Sequence, residues 1–456
     1  MPLRLFKPVS CIRGEVFLSG DKSIAHRSII LGAISSGKTR INNFPFNDDC
    51  LATINVFKKL GIKITLDPKN HTVIVFGKGL NGLKQPNGSI FIAESGTTLR
   101  LLLGILAGQN FEVTFTAGES LSKRPMLRVT SPLRLMGAQI NAKAKTYKGR
   151  HEEFPPIAIK GCNLKPITYK MPIASAQVKS AILLAGLFTE GSTRVVEQIK
   201  TRDHTERMLR LFSADIKIGE HVISVRGLKE LISPANIYIP GDISSASFFI
   251  VASLILPNSK IVIRKVGLNP SRMGIVKVLK RMGADILTTY LPACCPPAGR
   301  AGTDRRLAAK FEPIGNLLAR SSILKGITIK REEIPSLIDE LPILMVAACF
   351  AQGKTVLQGV EELRVKETDR IKSMCFNLRL MGARVEIVKE GNSENINIYG
   401  SRELKGAKIT SFDDHRTAMS MIIAALAAKS KTEIDDIACI NKSFPDFVSL
   451  LRSLSR

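Results

Sequence analysis

The chain has 456 residues, 45% hydrophobic and 23% charged, with a mean hydropathy of +0.11. Those values exclude a small stapled module and a disordered chain, and they predict at least two compact units. Sixty-six Lys and Arg against 39 Asp and Glu leave a net charge of +27, which points to anionic ligands, while zero Trp and 5 Tyr supply few platforms for stacking nucleic-acid bases.

In chain order, a helix that is apolar nearly all round is predicted from near Ser23 (KSIAHRSIILGAI), followed by the phrase FKKLGIKI at 57–64. The pattern then repeats. Apolar helices are predicted near Thr97, Ser175, Ser244, Glu340 and Asp414, alternating with LRLMGAQI (133–140), LRLFSADI (209–216), LKRMGADI (279–286), LRLMGARV (378–385) and a worn copy, LLRSLSR, at the C-terminus. Each phrase reads as helix, tight turn, strand, with the turn at Gly61, Gly137, Ser213, Gly283, Gly382 and Ser455. Segments such as HTVIVFG, KIVIRKV and GKTVLQG alternate β-branched residues and are expected strands. Six α/β units follow, each with a buried helix that a sheet must cover.

The turn marks are 76, 76, 70, 99 and 73 residues apart. The long step contains LPACCPPAGRAGTDRRLAAKFEPIGN, so an inserted surface loop is expected at about 291–315, and deleting 292–314 is expected to leave catalysis largely intact. The eight cysteines form no CxxC and lie at no metal-ligand spacing from a histidine; they are expected to be reduced, mostly buried thiols, with no metal site. MPLRLFKPVS lacks the apolar core of a signal peptide, and SFFIVASLIL (247–256) is shorter than the about 18 residues needed to span a bilayer. A cytoplasmic protein with no membrane partner is expected.

Five of the six apolar helices open with SGDKS, ESGTT, ASAQVK, GDISS or DDHR. Small and acidic residues there are ordinary caps, but a helix start also attracts phosphate or carboxylate. Lys22, Arg27, Arg100, Lys179 and Arg416 lie in or near these opening turns, where a cation opposes the dipole unless an anion sits between. In VEELRVKETDR (360–370), Lys366 and Arg370 are four apart with Glu367 between them; Asp339 and Glu340 precede another apolar helix. The bland readings are a solvated charged face and a helix cap; the chemical one is a carboxylate among cations, as proton transfer with a hydroxyl requires.

The phrases GDKSIAHR (20–27), SGTTLRLLLG (95–104), LSKRPM (121–126), SAQVKSAILLAG (175–186), RDHTER (202–207), GDISSASFF (241–249), IDELP (338–342), LRVKETDRI (363–371), DHRTAM (414–419) and KSFPDF (442–447) together resemble the 3-phosphoshikimate 1-carboxyvinyltransferase, or EPSP synthase, family. The resemblance covers nearly the whole chain apart from 291–315. It implies a two-domain inside-out α/β barrel of six βαβαββ-type repeats, three per domain. Domain one would be 21–240, domain two 1–20 with 241–456, and the active site would lie in the interdomain cleft.

The implied reaction moves the enolpyruvyl group of phosphoenolpyruvate to the 5-hydroxyl of shikimate 3-phosphate and releases phosphate, with no cofactor. Carried over by motif, Lys22, Ser23, Arg27, Ser175, Gln177, Arg202, Asp339 and Lys366 are expected to hold shikimate 3-phosphate. Lys22, Gly96, Arg124, Gln177, Arg370, Arg416 and Lys442 are expected to hold phosphoenolpyruvate. Asp339, Glu367 and Lys22 are the expected catalytic groups, and a monomer binding only small anions is expected.

Three features depart from the family pattern: the 291–315 segment, NPSR at 269–272 in place of NPTR, and Glu94 where Asn is usual. Glu94 would either repel phosphoenolpyruvate or turn away and favour the helix dipole. The competing readings are a UDP-N-acetylglucosamine enolpyruvyltransferase-like enzyme, whose reactive Cys is missing from AGESLSKRPM (117–126), a basic nucleic-acid-binding scaffold, and an inactive family member.

Overall fold

The apolar helices are the innermost elements of the structure, a computed structural model that describes residues 4–147, 149–292, 311–391, 393–401 and 403–456. The chain divides into two units. The N-side unit is Gly20–Ile239, which also takes Phe311 and Glu312; the C-side unit is the chain up to Ser19 with Pro240–Pro292 and Pro313–Arg456.

In the N-side unit the helices are α1 (Lys22–Ala33), α2 (Asp48–Lys59), α3 (Gly96–Leu106), α4 (Leu127–Leu135), α5 (Ala176–Ala185) and α6 (His204–Leu211). Nearly every residue of α1, α3 and α5 is buried, whereas α2, α4 and α6 bury one face. The difference is written in the residues, since a helix apolar on all sides is stable in water only when surrounded. Three four-stranded sheets do the covering. In each, a short edge strand runs parallel to the next, and the remaining two pairings are antiparallel. Strand, inner helix, strand, outer helix, strand, strand is the recurring order; the first repeat borrows its edge strand, Asn236–Tyr238, from the end of the unit.

The C-side unit repeats the plan with α7 (Ile243–Ile255), α8 (Gly274–Arg281), α9 (Leu341–Cys349), α10 (Arg370–Leu380), α11 (His415–Leu426) and α12 (Phe447–Leu454). Here α7, α9 and α11 are the buried set, and all nine residues of α9 are buried. The outer helices end as expected: Gly61, Gly137, Ser213, Gly283 and Gly382 all adopt left-handed backbone angles that stop a helix and start a strand. The sixth copy does not follow. Ser455 is extended, with φ −76° and ψ 137°, and bridges Ile12. Its sheet has three strands, and Arg4–Phe6 from the other end of the chain pairs antiparallel with Thr432–Ile434 as the third strand. The last repeat is completed by the N-terminus.

Most of the stretch expected as an inserted loop, 293–310, lies outside the described residues. Its C-terminal end is not loop: Ile314–Arg320 is a strand between two antiparallel partners. Phe311 packs on the core of the N-side unit, the Phe311 carbonyl accepts from Arg207 Nη1 at 2.9 Å, and Glu312 Oε1 lies 2.7 Å from His204 Nδ1 with both side chains buried. Deleting 292–314 therefore removes an anchored pair and the first residue of a strand, so the expectation of a silent deletion is withdrawn. Glu312→Ala leaves a buried imidazole nitrogen without its partner and should lower the unfolding free energy by about 1–3 kcal/mol, read as a fall in the urea midpoint.

The six described free thiols are Cys11, Cys50, Cys162, Cys349, Cys375 and Cys439. Burial pushes Cys349 and Cys439 up to about 12 and Cys375 to about 11, so these three stay protonated. Among the described residues no helix is long and apolar enough to cross a membrane, and no group of His, Cys, Asp and Glu is arranged to hold a metal ion.

Candidate active site

In the N-side unit the starts of the three inner helices are tied side by side. Gln177, in the first turn of α5, accepts from Arg100 Nη1 of α3 at 2.6 Å and donates to Thr97 Oγ1 at 3.0 Å. Arg27 of α1 donates to Thr205 of α6 at 2.6 Å, to Ser180 of α5 at 2.8 Å and to the Ser23 carbonyl at 2.9 Å. A second chain of hydrogen bonds runs from His26 through Thr53 and Thr98 to Ser95. Burial, with Lys22 and Arg27 alongside, holds His26 well below the ordinary histidine value, so this chain carries no charge.

The expected caps are real. Asp21, Ser95 and Ser175 accept first-turn N–H groups of α1, α3 and α5, which satisfies part of each helix start and fixes its direction. Around them stand the cations. Lys22 pairs with Asp49 at 2.9 Å. Burial brings Arg27 down to about 10, opposed by Glu206 and Asp21, while the charge of the half-buried Arg202 lowers it further. Lys179 is closed off inside the unit: fully buried, it sits 3.0 Å from Glu197 and 2.5 Å from Glu206. Burial raises the Glu206 pKa against the pull of Lys179, and the three side chains hold α5, α6 and the chain before Arg202 together.

Arg124 lies against the start of α3. A Cβ on Gly96 would stand 2.8 Å from Arg124 Nη1 and 3.1 Å from its Cζ, so only glycine leaves the guanidinium where it is. Gly96→Ala should displace Arg124 without unfolding the chain, because the atoms met are the end of a flexible side chain. An unchanged urea midpoint, with Arg124 shifted away from the start of α3 in the structure of the variant, is the expected result.

In the C-side unit the inner helix starts also meet. Asp242 and Asp414 cap α7 and α11 in the ordinary way. Glu340 stands at the N-cap position of α9, but its side chain makes no capping hydrogen bond. Glu340, fully buried, accepts from Ser244 Oγ and lies 3.6 Å from Arg272 and 4.0 Å from Arg416. Arg272 in turn donates to Ser244 at 2.5 Å and stands 3.5 Å from Asp242. This network was missed in the sequence, although an Arg in NPSR and a second acid before an apolar helix were the available signals. The Ser in NPSR is explained: Ser271 Oγ donates to Asn269 Oδ1 at 2.8 Å, a bond that either hydroxyl residue makes.

Arg370 is the centre of this half. Only 1% of its side chain is exposed; its Nε pairs with Asp414 at 2.8 Å, its Nη2 with Glu367 at 2.6 Å, and its Nη1 faces Asp339 at 3.7 Å. Burial opposes its charge, but the three carboxylates outweigh burial and raise its pKa. Arg416 donates to the Asp339 carbonyl at 2.8 Å and comes within 3.9 Å of its carboxylate. Lys366 is half-buried beside Asp339, Glu362, Arg370 and Glu367; desolvation pulls its pKa below the ordinary lysine value against the nearest carboxylates. Lys442 is held at 2.7 Å by Asp413. Asp339 is thus a part-exposed carboxylate with cations on several sides, and Glu367 is its neighbour across Arg370.

Both α/β units of this repeat thus carry polar and cationic inner-helix starts. The fold is shared with the enolpyruvyl transferase NikO from Streptomyces tendae, with a TM-score of 0.74 at 18% identity over 99% of this chain and 97% of that one. The family model for EPSP synthase (3-phosphoshikimate 1-carboxyvinyltransferase) matches residues 6–451, and this chain belongs to that family. It is 44% identical to the 3-phosphoshikimate 1-carboxyvinyltransferase of Geotalea daltonii over 100% of both chains, and 45% identical to that of Geobacillus thermodenitrificans over 98% and 97%. The EPSP synthase structure from Acinetobacter baumannii matches with a TM-score of 0.82 at 40% identity, covering 100% of this chain and 98% of that one.

Proposed function

We propose that the chain transfers the enolpyruvyl group of phosphoenolpyruvate to the 5-hydroxyl of shikimate 3-phosphate, and that the cations and carboxylates described in the two units act on this one pair of substrates. The observation that carries the reading is Asp339 beside Arg370, Arg416 and Lys366. Substrates that bring two carboxylates and two phosphates need guanidinium forks and ammonium groups in number, and a hydroxyl nucleophile needs a base among them.

In the first half of the reaction Asp339 takes the 5-hydroxyl proton as that oxygen bonds to C2 of the enol, while the methylene carbon gains a proton. In the second half the methyl carbon returns a proton, the double bond reforms and the C2–O bond to phosphate breaks, with Lys22 or another acid protonating the leaving oxygen. Glu367, held by Arg370, is assigned the methylene proton, and Lys22 the bridging oxygen. Ser23, Arg27, Ser175, Gln177, Arg202 and Lys366 are assigned to shikimate 3-phosphate. Gly96, Arg124, Arg370, Arg416 and Lys442 are assigned to phosphoenolpyruvate, with Lys22 and Gln177 touching both. The reading also takes the chain as a cytoplasmic monomer without a cofactor.

The acceptor is tested by incubating the purified chain with phosphoenolpyruvate and an equal mixture of shikimate 3-phosphate and UDP-N-acetylglucosamine, then identifying products by mass spectrometry. An enolpyruvyl adduct of shikimate 3-phosphate alone is expected. An adduct of the nucleotide sugar would overturn the reading.

A further inference from the structure

Glu94 is an acidic residue that the sequence sets beside the presumed donor site where Asn is usual, and the structure shows its carboxylate engaged. Its Oε2 accepts from Leu121 N at 2.7 Å and its Oε1 from Ser120 N at 3.3 Å. These two N–H groups open the single 3-10 turn Leu121–Lys123, and the residue that closes that turn is Arg124, whose N–H returns to the Leu121 carbonyl at 3.0 Å. The carboxylate packs closely against Gly118: a Cβ there would come within 2.1 Å of Glu94 Oε1. The backbone is shaped for this contact. Ala93 has φ +52°, a left-handed angle that an alanine adopts only at a cost, and its carbonyl accepts from Gly118 N at 2.8 Å.

We infer that Glu94 is a positioning residue for donor binding: it fastens the 117–124 loop to the start of α3 so that Arg124 is held ready over Gly96. The inference rests on the assignment of Arg124 to phosphoenolpyruvate made above. Neutral Asn or Gln cannot replace it fully, because an amide presents one acceptor oxygen and one donor nitrogen to two N–H groups. The charge is directed into the backbone of the turn, where two amide dipoles meet it, instead of toward the anion.

The electrostatic alternative predicts the opposite sign, so one substitution separates the two. Glu94→Gln removes the negative charge and one of the two hydrogen bonds. If Glu94 positions Arg124, the KM for phosphoenolpyruvate rises about tenfold, kcat changes less than about twofold, and the KM for shikimate 3-phosphate stays put. If Glu94 repels the donor, the KM for phosphoenolpyruvate falls. A fall or no change overturns the inference.

The same measurement with Arg124→Ala and the double variant completes the test. Glu94→Gln should add little in the Arg124→Ala background, whereas full additivity would overturn the inference. Gly118→Ala, which pushes on the carboxylate from the other side, should reproduce the Glu94→Gln phenotype; a wild-type KM would count against the loop contact. Should Glu94→Gln fail to fold by urea titration, Gly118→Ala alone carries the test. Wild-type turnover is measured first: a wild type that turns over neither substrate sinks the reaction assignment, and turnover with an unmoved Glu94→Gln sinks only the positioning role.

Discussion

Arg370→Ala should lower kcat by about 10²–10³-fold or more and destabilise the chain by about 3–5 kcal/mol. Both effects come from one geometry. The guanidinium touches Asp414 and Glu367 and faces Asp339, and Asp414 is fully buried, so truncation strands a charge that water cannot reach. Arg370→Lys separates the two effects. A lysine keeps the positive charge near Asp414 and should recover much of the stability, but a single ammonium cannot span Asp414 and Glu367 as the fork does, and activity should stay low. Urea midpoints and steady-state kinetics on the two variants measure each effect; equal activity in Arg370→Lys and wild type would contradict the assignment.

Asp339→Asn should do the reverse, removing activity while sparing the fold. The loss expected from a positioned proton acceptor is about 10²–10⁴-fold in kcat. Stability should change far less than in Arg370→Ala, since the Asp339 side chain is 21% exposed and the Asn amide keeps its shape. The carbonyl that Arg416 uses is backbone and survives the substitution. Removing a negative charge beside two guanidiniums does not hinder an anion, so the KM for phosphoenolpyruvate should not rise. A variant with normal kcat and a raised KM would make Asp339 a binding group instead of a base.

The inner helices were legible because burial on all sides leaves an unbroken apolar run, and their starts because a cap must be a short polar residue: Asp21, Ser95, Ser175, Asp242 and Asp414 all cap at, or two residues before, the start read in the sequence. The left-handed turns were equally plain, since Gly repeats where a helix must stop. The worn sixth copy looked like a weak version of the others because nothing local says that Arg4–Phe6 will pair with Thr432–Ile434. Such pairings are set by the whole fold and leave only an alternating pattern behind.

Charge was the other limit. Lys179 reads in the sequence like Arg27, a cation in the opening turns of an apolar helix, yet the first is closed off by Glu197 and Glu206 while the second meets hydroxyls of Ser180 and Thr205 and the Ser23 carbonyl. What decides whether such a cation is closed off by carboxylates is the neighbour across the core, which spacing along one helix does not encode. Glu94 shows the same limit for an acid: the sequence left repulsion and withdrawal both open, and the two N–H groups that claim the carboxylate are 26 and 27 residues away.

The most direct test is the release of inorganic phosphate by the purified wild-type chain from phosphoenolpyruvate as shikimate 3-phosphate is titrated in. The account predicts release that saturates in both substrates and ends at one phosphate for each acceptor consumed. Phosphate released without the acceptor, or none released by folded protein with both substrates present, would contradict it.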